Sequence, residues 1–454
     1  MLSWFRLLHR TWMMCAKLWA SRQMEGLESA LFPAPARPSR ASPYTYYILY
    51  LHRRKLQHIA LKMRPAQVLA DGHSNARASA LLRSNAQTFG YARPGCRWAV
   101  YRKWMEVLSS KRHKDNVYYT YEPTGSGDGK AKFVNRTVPF AGSDLALSAE
   151  EKLAIPDAWF VPSLAGGVAV GFNVPGIGSE ELSIPREALA DVFLGKIRRW
   201  SGLAQWNPKL ETVSQDISIV VRSESSGTTS VITSALSSFS AEWKNKTGSS
   251  GLPKWPVAAS KHEGNAGVAV GIRVTPYSIG YLNVADAKTY GVAYAKIANA
   301  EGRYIAPTLE AVQAATNAFG PKLEALVKNG STNFYVDAVD PKGEPAAYPI
   351  STFTYLAFDV GRMDCETMLD VLFFVYWAWT DANAGKYATE QLLSPITSGV
   401  RAILLSALAK LKCEGESPMG KVQLAFGLGC KPGAERPPFL PPPLRTCRRC
   451  YPIM

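Results

Sequence analysis

Between Asp216 and Ser240 the pattern of apolar and polar positions changes twice. Ile217–Val221 is β-branched and nearly all apolar, Arg222–Thr229 is polar and rich in small residues, and Ser230–Leu236 returns to apolar positions at helical spacing. The pattern predicts a strand, a loop and a helix in that order. A strand that feeds a helix through small residues leaves the first N–H groups of the helix without backbone partners. Together with the positive end of the helix dipole, these groups attract anions. Arg222 adds a charge and a planar fork that suits an oxyanion. The same Ser-Gly-Thr-Thr run also reads as a plain helix cap, and the stretch by itself leaves both readings open.

A second junction of this kind lies upstream. Order begins at Val100–Trp104, where Trp104 and Val107 have helical spacing, and Val117–Glu122 alternates as a strand. Pro123–Gly129 then forms a glycine-rich turn into a helix. Phe140–Asp144 closes the next unit with a carboxylate in a loop, which also reads as a turn former or as the cap of a helix at Ala149. Gly166–Val174 and Ile279–Val284 are apolar strands containing glycine, suited to crossing between two lobes. Gly264–Gly267 opens a helix that ends before Pro276. Met368–Trp379 is apolar but holds Asp370 and is too short to span a bilayer, so it reads as a buried helix.

Composition narrows the possible partners. The 454 residues are 47% apolar and 19% charged, ordinary for a globular chain of two or three domains. The net charge of +16 is concentrated at the ends: residues 1–99 carry 15 Lys/Arg against 3 Asp/Glu, whereas residues 100–413 carry 31 against 30. A basic nucleic-acid face on the central region is therefore not indicated. Residues 36–99 are rich in Arg, Ser and Ala and read as a basic insertion, either solvated or in contact with a membrane surface or nucleic acid. Most of the seven cysteines (Cys15, Cys96, Cys365, Cys413, Cys430, Cys447 and Cys450) lie in the flanks, so no disulfide framework is expected. The pair Cys447 and Cys450 stands alone in a Pro-rich tail and the six histidines lack ligand spacing, so neither a metal nor a cofactor is expected. Lys17 cuts the apolar stretch that a secretory signal needs, and residues 414–454 read as a tail without a fold of its own.

With those pieces in place, the chain resembles the PstS-like phosphate-binding proteins of bacterial phosphate ABC importers. The resemblance runs through Tyr121–Asp144 (YEPTGSGDG…AGSD), Phe193–Trp200 (FLGKIRRW), Arg222–Thr228 (RSESSGT), Glu242–Gly248 (EWKNKTG), Lys254–Val257 (KWPV) and Ser278–Tyr281 (SIGY), with Phe32–Pro35 (FPAP) upstream. It implies an α/β fold of the two-lobed type II periplasmic-binding-protein class, with the ligand cleft between the lobes. By that resemblance residues 100–172 and 284–413 form lobe 1 and residues 173–283 form lobe 2. Residues 1–99 hold a first-loop remnant at 27–35 and the insertion 36–99.

The resemblance also implies the ligand set. Ser126, Ser226, Gly227, Thr228 and the N–H of Phe32 donate to one phosphate, Arg222 pairs with its charge, Glu224 orients Arg222 where the family has Asp, and Asp144 accepts the ligand's proton. A carboxylate in that place favours protonated phosphate and repels fully ionised sulfate. The implied protein is a monomeric, non-enzymatic receptor for inorganic phosphate, periplasmic or extracellular, with an ABC permease as partner. The chain departs from the family at Leu31, where a Thr hydroxyl is lost, and at the insertion after Pro35. Two alternatives follow: a folded relative with impaired phosphate binding, or a protein whose basic segment binds nucleic acid or a membrane surface.

Overall fold

The computed structural model describes residues 96–112, 117–122 and 124–426. Of the two units into which the chain divides, 1–79 and 80–454, the described residues all belong to the second. Phe32, the first-loop remnant, the insertion up to residue 95 and the tail beyond residue 426 lie outside the described residues.

One mixed sheet organises these residues. Six of its strands lie in the order Phe140–Ser143, Ser351–Asp359, Ala158–Asn173, Ser278–Asn283, Ser218–Arg222 and Ala259–His262, and the short strands Ala293–Tyr294 and Ser394–Pro395 also pair with Ala158–Asn173. The first three pairings are antiparallel and the last two parallel. Parallel neighbours need crossover connections, and helices Gly227–Phe239 and Gly264–Val274 lie in those connections. Ala158–Asn173 is buried at every position but its last. From Ala158 to Gly167 it pairs with Ser351–Asp359, and from Val168 to Asn173 with Ser278–Asn283. Its first half adds Phe160 and Leu164 to a core built on Trp104, Tyr355 and Trp377, while its second half adds Val170 and Phe172 to a core built on Phe193, Trp200, Trp243 and Tyr281. The described residues thus form two lobes, and this strand passes from one core to the other at Gly166–Gly167, ahead of the boundary expected after residue 172. A Cβ on Gly167 would meet Val312 at 3.1 Å and Pro307 and Tyr348 at 3.4 Å, so the crossing runs through closely packed surroundings.

Three expectations need correction. Val117–Glu122 alternates in exposure but pairs with no strand among the described residues. Instead the Tyr119 N–H donates to Ser109 Oγ at 2.7 Å and its hydroxyl to the Asp370 carbonyl at 3.2 Å, pinning an extended connector to two helices. Alternation reports a half-buried extended chain, whether or not another strand lies beside it. Second, Cys365 and Cys413 form a disulfide across a separation of 48 residues. Sequence position hides this pair, because Cys413 reads as the border of a tail and returns to Cys365 only in three dimensions. Third, the tail begins with order: helix Pro418–Ala425 is capped by Ser417, which accepts from the Gly420 N–H at 3.2 Å. Pro418 in its first turn is compatible with helix. The helix buries Met419 and Val422 beside Cys365–Thr380, the helix that contains Met368–Trp379, and the Phe426 ring lies 4.7 Å from that of Phe373.

Candidate functional site

Two helix N-termini, one from each lobe, meet at the cleft. In the first lobe, Gly125 adopts φ 92°, a backbone state that glycine takes without strain, and helix Ser126–Val134 follows. Strand Phe140–Ser143 delivers Asp144 beside it. The Asp144 N–H donates to Ser126 Oγ at 3.2 Å, so that hydroxyl can direct its own proton into the cleft. Thr354 Oγ1 donates to Asp144 Oδ1 at 2.8 Å and fixes the carboxylate. In the second lobe, strand Ser218–Arg222 ends in Arg222 and helix Gly227–Phe239 starts five residues later. Ser226 Oγ caps that helix by accepting the Thr229 N–H at 3.3 Å. The cap and the anion site are therefore one structure: the hydroxyl serves Thr229, while Gly227 and Thr228 line the cleft.

Arg222 is buried and held on two sides. Nε donates to Glu224 Oε1 at 2.8 Å, Nη2 donates to the same oxygen, and Nη1 donates to Asn265 Oδ1 at 3.1 Å. Glu224 also accepts the Gly264 N–H at 3.1 Å and the Ser223 hydroxyl at 3.0 Å. Burial pushes the Glu224 carboxyl up, but the hydrogen bonds and charge of Arg222, with backbone N–H bonds, more than offset this and hold it below the usual glutamate value. Tyr281 supports the loop from behind: its hydroxyl accepts the Arg222 N–H at 3.2 Å and lies 2.7 Å from Thr229 Oγ1. Burial pushes that phenol up to about 12. The Tyr281 ring sits 5.9 Å from Trp255, which lies 5.9 Å from Trp243 and 5.6 Å from Phe193. The motifs FLGKIRRW, EWKNKTG, KWPV and SIGY, scattered along the chain, thus supply one aromatic platform beneath Arg222 and Thr229.

The lobes touch at the site. A Cβ on Gly227 would fall 2.5 Å from both Asp144 Cβ and Ser126 Oγ, and one on Gly127 would fall 2.7 Å from Ser225 Cβ. Ser126, Asp144, Arg222, Ser226, Gly227 and Thr228 all line a single cavity of ≈ 30 Å³. That is room for about two water molecules, a scale suited to a small ion rather than an extended organic ligand. Convergent hydroxyl and N–H donors, one guanidinium and one carboxylate suit a small tetrahedral oxyanion that carries a proton. Among the described residues no group of three or more His, Cys, Asp or Glu is placed to hold a metal.

The structure therefore brings together every described residue expected at the site, with Glu224 on Arg222; Phe32 lies outside the described residues. Sequence reading missed Tyr101, Asn265, Asn283 and Thr354, which line the same cavity. Asn265 carries a signal, since it sits in the turn that opens helix Gly264–Val274. Thr354 carries none, because it lies within the apolar strand Ser351–Asp359.

Comparison with known proteins fits this geometry. A profile of the PBP superfamily domain matches residues 99–364. The chain is 31% identical over 342 residues to a phosphate-binding protein PstS of Pasteurella multocida, covering 75% of this chain and 94% of that protein. It is 33% identical over 278 residues to a PstS of Xylella fastidiosa, covering 61% of this chain and 73% of that one. Among solved structures, a high affinity periplasmic phosphate-binding protein, PfluDING, bound with phosphate, superposes with a TM-score of 0.52 at 21% identity, over 74% of this chain and 97% of that one. An ancestral soluble variant of the human phosphate binding protein gives 0.53 at 21% identity, over 71% and 96%. At that identity the two structures speak for the architecture, a two-lobed α/β fold.

Proposed function

This chain belongs to the PBP superfamily and, within it, to the PstS phosphate-binding proteins, and from that membership we propose that it binds one inorganic phosphate ion between its lobes for transport. The observation that carries this reading is the meeting of two helix N-termini over a cavity that also holds a fixed Arg222 and a fixed Asp144. Ser126, Ser226, Gly227 and Thr228 donate to the phosphate oxygens, Arg222 pairs with their charge, and Asp144 accepts the ligand's proton. Glu224 and Asn265 keep the guanidinium plane in place, so its remaining N–H groups meet the anion without reordering. Phe32 is proposed to add its N–H from the first loop.

The protein acts as a receptor rather than an enzyme. The groups in the cavity recognise charge and shape, and Ser126 Oγ accepts the Asp144 N–H, which leaves the hydroxyl as a donor to the ligand. An ABC permease is the proposed partner, and a periplasmic or extracellular location is the proposed site of action. The Cys365–Cys413 disulfide supports that location, since such bonds persist in oxidising compartments. No helix among the described residues is long and apolar enough to cross a membrane.

Calorimetric titration of the full chain with phosphate and with sulfate tests the proposal. Saturable binding of one phosphate, with sulfate weaker by more than about tenfold, is expected. No binding heat at millimolar phosphate at several temperatures would refute receptor function.

A further inference from the structure

Asn283 ends strand Ser278–Asn283, pairs with Val168 beside the lobe crossing, and occupies the N-cap of helix Val284–Thr289. An asparagine at an N-cap ordinarily turns its oxygen back to accept an N–H of the first helical turn. Here the side chain makes no capping bond. It is 3% exposed, its Oδ1 has no hydrogen-bond partner among the described residues, and it lines the same cavity as Asp144 and Arg222. A buried amide oxygen left without a partner is costly, and the group that could supply one is a ligand in that cavity.

We propose that Asn283 contacts the bound anion directly and matches its second proton, an inference that rests on the phosphate reading above. A carboxamide presents an acceptor oxygen and a donor NH2 on one plane, and a half-turn exchanges them. Asp144 takes one ligand proton in either common ionic form of phosphate. The Asn283 oxygen takes the second proton of dihydrogen phosphate, and its NH2 donates to the bare oxygen of hydrogen phosphate. A carboxylate at this position could only accept, so it would favour dihydrogen phosphate and reject the dianion. The ionisable groups that share the cavity wall with Asn283 are Asp144, Arg222 and Tyr101, the last from helix Cys96–Arg112, and Asp286 and Lys288 follow it on its own helix.

Phosphate affinity of the full chain, of Asn283→Leu and of Asn283→Asp, at about pH 5.5 and about pH 8.5, tests the assignment. Asn283→Leu should lose about tenfold or more at both values, and the penalty of Asn283→Asp should grow by about tenfold from the lower to the higher. Melting curves without phosphate report whether each variant is folded. Should Asn283→Asp not fold, Asn283→Leu decides alone: unchanged affinity overturns the assignment and a loss at both values supports it. Variants that track the wild-type protein at both values overturn the role of Asn283 while phosphate binding stands. A wild-type protein that binds no phosphate at either value overturns both readings.

Discussion

On the proposed reading selectivity turns on Asp144, the one carboxylate among the residues that line the cavity. Thr354 holds one carboxylate oxygen, which fixes where the charge points. The proposed site of phosphate against sulfate discrimination is therefore a repulsion as much as an attraction. Asp144→Asn should keep phosphate binding but shrink the preference over sulfate by more than about tenfold, roughly 1.4 kcal/mol. Competition titrations with the two ions measure this, and continued exclusion of sulfate by the variant would assign selectivity to another group. Asp144 was legible in sequence because it closes the Ala-Gly-Ser-Asp motif, whereas its partner Thr354, 210 positions away, was not. Nothing local distinguishes Thr354 from the other strand residues around it. Its role arises from a register shift between Thr354 and Tyr355, opposite Leu164 and Pro162. An irregularity of that kind re-aims a side chain, and Ser163 within it donates to the Thr354 carbonyl at 2.8 Å.

Among the elements, the two loop-to-helix junctions and the helix Gly264–Val274 follow from local spacing and from where glycine falls. The long strand was only half legible. Sequence reading begins it at Gly166, but it starts at Ala158, because Pro162 and Ser163 break the apolar run that marks a buried strand. The C-terminal side was least legible, since the Pro-rich composition of residues 414–454 conceals the short helix Pro418–Ala425 with its apolar face. The Cys365–Cys413 disulfide ties the start of helix Cys365–Thr380 to the chain just before that short helix. Closing a loop of 48 residues stabilises the fold on the order of 4 kcal/mol by restricting the unfolded chain. Cys365→Ala should therefore lower the denaturant midpoint of the full chain, and reductant should lower that of the wild-type protein but not of the variant. Coincident midpoints for the oxidised wild type and the variant would show that this bond adds no stability.

At the scale of the whole molecule, the described lobes meet at Gly127 and Gly227, where a side chain would collide with the facing lobe. Phosphate should raise the melting temperature by binding the folded state alone, contributing about 2.7 kcal/mol at a hundred times Kd. Gly227→Ala places a Cβ 2.5 Å from Asp144 Cβ, so the lobes cannot approach as they do here. That variant should melt like the wild-type protein without phosphate yet lose most of the phosphate-induced rise, as thermal scans across a phosphate series would show. An equal rise in both would mean that binding does not require this approach. By itself the sequence determined the two glycine-containing loop-to-helix junctions, the resemblance to the family and the charged residues of the site, because each resides in a short run of neighbouring residues. Only the tertiary structure decided that Asn265, Asn283, Tyr101 and Thr354 share the cavity, that four separate motifs form one aromatic platform, and that Cys413 reaches Cys365. The physical reason is that these groupings are set by strand register and lobe packing, which bring together positions that no local period relates.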